Sequence, residues 1–209
     1  MQFSMGNLKM ILLDAGHGGI IDGSYVTPGK RSPLWDDGTQ YFEGHGNREI
    51  RGELIKLLNK EGIRFKEISE GRKDTPLANR VSDINAYARK YGPGNCLMIS
   101  IHSDAFHKES ANGWSCFTTK GETNSDKYAE ALYEEIEKMF PHRKIRSDNS
   151  DGDKDKEEQF YIIRKSICPA ILSENFFMTN ESECKEILMQ RQGKKKIALA
   201  HFNMIKRFV

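Results

Sequence analysis

His17, His102 and Glu174 are the residues from which chemistry can be argued. They lie far apart in the chain, yet each follows an apolar run: Ile11-Leu12-Leu13-Asp14 before His17, residues 96–101 before His102, and Ala170-Ile171-Leu172-Ser173 before Glu174. In an open α/β sheet the carboxyl edge of the strands is where ligands bind. One histidine so placed is ordinarily a hydrogen-bonded structural residue, but two histidines and a carboxylate placed alike point to a site. Two imidazoles and one carboxylate form a common catalytic zinc shell that leaves a water in the fourth position. Asp36, Asp37, Glu43 and His45 all offer a third ligand, and residue type alone leaves them open. Glu43 is the best placed, at the entrance to the first helix, where a side chain can turn back over the sheet edge.

The elements that must position these groups alternate between short apolar runs and amphipathic stretches, the pattern of a sheet covered by helices. Residues 8–13 form the first strand, which runs into the turn Asp14-Ala15-Gly16-His17-Gly18-Gly19. Residues 20–42 carry turn formers without periodicity and read as a long functional loop. A helix follows from about Gly46, with Ile50, Leu54, Leu57 and Leu58 on one face and Gly62 beyond its end. Residues 63–68 are a second strand. Thr75 is positioned to cap a helix starting at Pro76, with Leu77, Val81, Ile84, Ala88 and Tyr91 as its stripe and Gly92 and Pro93 as its stop. Residues 96–101 and 113–119 read as strands, and Tyr128, Leu132, Ile136 and Met139 mark a helix ended by Pro141. Residues 160–164 and 170–173 are the last strand candidates. One or two helices in residues 181–208 follow, with Ile197, Ala200, Met204 and Phe208 inward and Lys194-Lys195-Lys196 on the wet side.

The chain has 209 residues, 37% of them hydrophobic and 10% aromatic, enough for one sizeable core, with no composition break to suggest a second. Its 32 basic and 30 acidic residues leave a net charge of +2, far from the field of a dedicated nucleic-acid binder. Cys96, Cys116, Cys168 and Cys184 are widely spaced with no CxxC pair, so they read as reduced core thiols, and any metal falls to histidine and carboxylate ligands. The run Asp151-Gly152-Asp153-Lys154-Asp155 has its glycine and closing glutamate misplaced for an EF-hand, so residues 147–158 are expected to be a solvated loop.

Four motifs in order, Ile11-Leu12-Leu13-Asp14-Ala15-Gly16-His17-Gly18-Gly19, the pair Glu43 and Asn47, Ser100-Ile101-His102-Ser103-Asp104-Ala105, and Pro169-Ala170-Ile171-Leu172-Ser173-Glu174-Asn175-Phe176-Phe177-Met178-Thr179-Asn180, resemble the zinc-dependent N-acetylmuramoyl-L-alanine amidases of the amidase-3 type. The resemblance runs from about residue 8 to the end. It implies an α/β fold, a single domain with a twisted, mostly parallel sheet of about six strands flanked by helices on both faces. It also implies that His17, Glu43 and His102 bind Zn2+ and that Glu174 is the catalytic acid/base. The bond cut would be the amide between the lactyl group of muramic acid and the L-alanine of the stem peptide of peptidoglycan. Asn175 stands where the family often has glycine, which predicts an altered pocket lip.

The residue types suit that reaction. An unactivated amide needs a stronger nucleophile than water, a stabilised oxyanion and a protonated leaving amine. Zinc acidifies water to a pKa of about 7 and polarises a carbonyl, and Glu174 can carry the proton to the leaving nitrogen. Asp14 is a candidate partner for a ligand imidazole or a turn former. Residues 20–42 and 147–158 are expected to wall an open groove, with Trp35, Tyr41 and Phe42 either offered to sugar rings or stem-peptide side chains or, as loop aromatics more often do, pinning the loop to the core. A zinc carboxypeptidase or aminopeptidase would use similar ligands, but no arginine is tied by motif to a substrate terminus and HExxH is absent. A catalytically silent wall-binding module would have no need of Glu174. Residues 1–10 lack the features of a signal peptide, and no apolar run approaches the length of a membrane span. The expectation is a monomer without nucleic-acid or membrane partners, made in the cytoplasm. It would reach the bacterial cell wall as a phage lysin does, or after loss of a leader, and no wall-binding domain is evident.

Overall fold

A strand such as Met10-Ile11-Leu12-Leu13, apolar at every position, must be covered on both faces. The computed structural model, which describes residues 8–150 and 152–209, shows the cover. In chain order the elements are β1 (Met10–Ala15), β2 (Ile20–Ile21), β3 (Ser24–Tyr25), α1 (Glu43–Lys60), β4 (Phe65–Glu67), α2 (Leu77–Tyr91), β5 (Cys96–Asp104), β6 (Ser115–Thr118), α3 (Asp126–Met139), β7 (Lys156–Glu157), α4 (Tyr161–Lys165), β8 (Ala170–Phe177), α5 (Glu181–Glu183) and α6 (Arg191–Lys206). Six strands form one sheet in the order β4-β1-β5-β8-β6-β7, parallel throughout except for the β6–β8 pair. The expected α/β architecture, with a mostly parallel sheet and helices on both faces, is what the chain adopts.

The period-two alternation of the strands divides the core in two. Ile11 and Leu13 of β1, Leu97, Ile99 and Ile101 of β5, and Ile171 of β8 face α1, α3 and α6, which present Ile50, Leu54, Leu58, Leu132, Ile136, Ile197 and Met204. Met10 and Leu12, Cys96 and Met98, Ala170 and Leu172 face the other way, onto Val81, Ile84 and Ala88 of α2 and Ile162 and Ile163 of α4. All four cysteines are free and buried, as expected of core thiols. Among the described residues no helix is long and apolar enough to cross a membrane.

Several boundaries differ from the expectation. The expected strand at 160–164 is instead the helix Tyr161–Lys165 with Phe160 at its N-cap: only Ile162 and Ile163 of the apolar run are buried, while Phe160 and Tyr161 face outward. The end of this segment is tied to α2 through Asn85, which donates to the Lys165 carbonyl and accepts from the Ile167 amide. Thr75 does not cap α2; Pro76 holds the N-cap position without a side-chain bond, and the Thr75 carbonyl accepts from Arg80 instead. Residues 147–158 are not wholly solvated. Lys156 and Glu157 extend the sheet as β7, and Asp155 is buried against the Thr118 hydroxyl. Asp151, like most of the stretch 1–10 read for a signal peptide, lies outside the described residues.

Candidate metal centre

His17, Glu43 and His102 arrive from three elements at the carboxyl edge of the sheet. β1 and β5 are parallel neighbours, so the turn after β1 and the end of β5 lie side by side. His17, two residues past β1, has a left-handed backbone (φ 62°), a conformation that costs a non-glycine residue energy and must be held by its surroundings. Its carbonyl accepts from Arg48 Nη1 at 2.7 Å and from Arg80 Nη2 at 3.3 Å. Glu43 opens α1 and is buried. The helix start comes this close because Gly44 is bare: a Cβ there would strike the Gly18 carbonyl, and one on Gly16 would fall on the His102 ring.

The geometry is that of a donor cluster. Glu43 Oε2 lies 3.3 Å from His17 Nε2, and Glu43 Oε1 lies 3.1 Å from His102 Nδ1. The two imidazoles meet edge to face at 5.2 Å between centroids. One ligand atom from each of the three residues lies within 4.8 Å of the others, the one such grouping of His, Cys, Asp or Glu among the described residues. Burial pushes the Glu43 carboxyl up, but its bonds to His102 and His17 prevail and hold it near 2. For His102, burial pulls the pKa down and the Glu43 bond more than restores it, leaving it above its ordinary value. Asn47, one turn along α1, donates to Glu43 Oε1 and to the Gly16 carbonyl at 3.4 Å, and Ser103 Oγ, itself paired with the Tyr41 hydroxyl, donates to Asn47 Oδ1 at 3.3 Å.

Glu174 is the register partner of His102 on the adjacent strand β8. Its Oε2 is buried without a hydrogen-bond partner. Burial, opposed by His102 and reinforced by Glu43 and Asp104, raises its pKa to about 8. Beyond it the strands lose register between His102 and Asp104, and Phe176 takes a left-handed backbone (φ 65°), as at a β-bulge. The three donors and Glu174 line one cavity of about 570 Å³, together with Lys30, Asp74, Leu77, Arg80, Asp104 and the Phe160–Tyr161 corner.

The other sequence candidates go elsewhere. Asp37 pairs with Lys185 at 2.8 Å, and His45 sits 3.9 Å from Glu49; neither they nor Asp36 join the donor cluster. Asp14 serves no imidazole: it accepts from Arg80 at 2.9 Å and from Ser100 at 2.7 Å within the core. Trp35 and Tyr41 pin their loop to the core rather than wall the groove: both are buried, and Trp35, only 8% exposed, has the Lys185 ammonium 5.9 Å from its ring centroid. Asn175 does not shape the lip. It is fully buried, accepts from the Trp114 indole at 2.9 Å and donates to the His102 carbonyl at 3.0 Å, so it steadies a donor strand from behind. Arg48, Arg80, Ser103 and Lys30 were not singled out by residue type, because each acts through partners distant in the chain.

Residues 11–207 match the family model Amidase_3, described as N-acetylmuramoyl-L-alanine amidase. A probable cell wall amidase, LytH of Staphylococcus epidermidis, is 29% identical over 178 residues, which cover 84% of this chain and 50% of that one. The chain thus spans about half the length of this relative. The amidase AmiA of Escherichia coli is 24% identical over 237 residues, covering 93% and 74% of the two chains. In fold, the chain resembles the CwlD amidase of Clostridioides difficile, solved in complex with the GerS lipoprotein (TM-score 0.72, 24% identity, 96% and 98% covered). It also resembles AmiC2 of Nostoc punctiforme (TM-score 0.72, 21% identity, 96% and 97% covered). With the family model spanning nearly its whole length, the chain belongs to the Amidase_3 family of N-acetylmuramoyl-L-alanine amidases.

Proposed function

We propose that this protein hydrolyses the amide between N-acetylmuramic acid and the L-alanine of the peptidoglycan stem peptide. His17, Glu43 and His102 would hold Zn2+, and Glu174 would act as general acid and base. One observation carries the reading: two imidazoles and a carboxylate converge within 4.8 Å beside a buried glutamate whose free oxygen meets no protein partner. The nitrogen and oxygen donors are of the kind zinc takes in catalytic sites, and the cysteines that would compete for it are buried elsewhere.

Zinc held there would supply Lewis-acid polarisation of the amide carbonyl and an acidified water. Glu43 contributes a carboxylate that stays ionised, with its pKa near 2. Asn47 fixes one of its oxygens, which limits the rotamers it can sample. Glu174 has the opposite character: burial raises its proton affinity well above that of an ordinary carboxylate, and the positive charge of a bound zinc would draw it back down, toward a group that can both accept and return a proton. It takes the proton of the attacking water and delivers it to the departing nitrogen. Leu77, Phe160 and Tyr161 give the cavity an exposed aliphatic and aromatic edge on which a substrate can rest.

Arg80, the one arginine lining the cavity among the described residues, is committed to Asp14, Asp74 and three carbonyls, so it is not available to clamp a peptide terminus as a carboxypeptidase would require. The substrate would be met at the bacterial wall, and a monomer suffices for the site as built. The test is digestion of purified peptidoglycan with and without chelator. New amino-terminal L-alanine, without new reducing sugar ends, and its loss on zinc removal is the expected result. Release of single amino acids from the stem would show a peptidase, and retention on the wall without any new termini would show a silent binder.

A further inference from the structure

The cavity is rich in carboxylates and, among the described residues, has one lysine or arginine that forms no salt bridge. Glu43, Asp74, Asp104 and Glu174 line it, and against them stand Arg80 and Lys30. Arg80 is spent on internal partners. Lys30 forms no salt bridge among the described residues, although it faces Glu174 closely enough to favour that group's ionised form.

Its position is built rather than incidental. The Lys30 carbonyl accepts from the amide of Glu43 at 3.0 Å, so the lysine backbone is pinned to the first residue of the donor helix. The next residues continue the pairing: Arg31 bridges Phe42, the Ser32 amide donates to the Tyr41 carbonyl at 2.9 Å, and Ser32 Oγ accepts from the Tyr41 amide at 2.9 Å. Gln40 closes the segment with a bond to the Ser32 carbonyl. Residues 30–32 are therefore a short strand-like clamp on residues 41–43, and its free end presents an exposed lysine to the mouth of the cavity. A cation held there outside any salt bridge among the described residues is suited to an anion on the substrate.

We propose that Lys30 is a specificity residue that recognises a carboxylate of the stem peptide beyond the scissile bond. The inference rests on the amidase reading. A stem whose second residue is D-glutamate, linked through its γ-carboxyl, carries a free α-carboxylate one residue past L-alanine. A peptide ending at that residue carries a γ-carboxylate as well, so two sources share the chemistry.

The test measures binding by calorimetry to the zinc-loaded Glu174→Gln variant, which removes turnover, with and without Lys30→Met. Three muramyl-L-alanyl-D-glutamyl ligands are compared: α-acid with γ-amide, α-amide with γ-acid, and the diamide. The expected result is binding of the α-acid roughly tenfold tighter than the diamide, a preference that Lys30→Met abolishes and Lys30→Arg largely restores. Lys30-dependent preference for the γ-acid instead would assign the same lysine to a chain-terminal carboxylate. Equal binding of all three ligands, or a preference that survives Lys30→Met, overturns the inference while leaving the amidase reading intact. Failure of all three to bind overturns both.

Discussion

Arg48→Met should loosen the proposed metal site without touching any donor atom. Arg48 Nη1 donates to the carbonyls of His17 at 2.7 Å and Gly44 at 2.8 Å, which ties the turn carrying one donor to the first turn of the helix carrying another. Nε and Nη2 reach the carbonyls of Gly71 at 2.7 Å and Lys73 at 3.3 Å, on the loop that backs the turn. After substitution the His17 carbonyl keeps Arg80 at 3.3 Å, and the Gly44 carbonyl keeps the helix, so neither is orphaned. What goes is the short charge-assisted bond that holds His17 in its left-handed backbone, a contribution of about 2 kcal/mol. If most of that falls on the metal-bound geometry, the zinc Kd rises about thirtyfold. Competition against a chromophoric chelator at neutral pH measures it, and Arg48→Lys, which can remake only part of the fork, should fall between. A zinc Kd within threefold of wild type, alongside a lowered Tm in the metal-free protein, would show that Arg48 stabilises the fold and does not set the donor geometry.

Glu174→Gln should lower hydrolysis by several orders of magnitude with zinc content unchanged, whereas Glu43→Ala should lower both; an empty site in Glu174→Gln would reassign Glu174 as a ligand. Gly16→Ala drives a methyl group into the His102 ring and should deplete bound zinc, read by elemental analysis, even where circular dichroism is unchanged. Trp35→Ala should cost about 3–5 kcal/mol in urea unfolding, because the ring is packed in the core rather than offered to substrate. His201 is fully buried between Ser173 and the Ile197 carbonyl, and burial pulls its pKa down to about 4. The unfolded chain gains a proton near pH 6.5 that the folded chain refuses until about 4, so stability should fall by about 3 kcal/mol as pH drops across that window. A His201→Gln variant with the same slope between pH 7 and 4.5 would refute the assignment.

That His17, His102 and Glu174 would meet was legible because each ends an apolar run, and parallel strands bring their carboxyl ends to one edge. Residue type left Glu43 level with Asp36, Asp37 and His45; the family resemblance chose Glu43, and the structure pairs Asp37 with Lys185 and His45 with Glu49 instead. Periodicity also marked α1, α2, α3 and α6. It failed at residues 160–164, where four apolar residues in a row carry no period, and only packing against α2 decides for helix. The roles of Asp14 and Asn175 escaped local reading for a related reason. Their partners Arg80 and Trp114 lie dozens of residues away, and local residue type says nothing of them.

The donor cluster has no local precursor. Glu43 and His102 are 59 residues apart, and they meet only when β1, β5 and α1 have docked. A metal that needs all three groups therefore binds the native chain and ignores the denatured one, so its free energy of binding is added to that of folding. At a free concentration one hundred times its Kd, such an ion raises global stability by about 2.7 kcal/mol. The midpoint of thermal unfolding thus becomes a dose-response curve for the ion, readable without substrate. A cell that withholds the ion would present its proteases with a chain that opens about a hundred times more often.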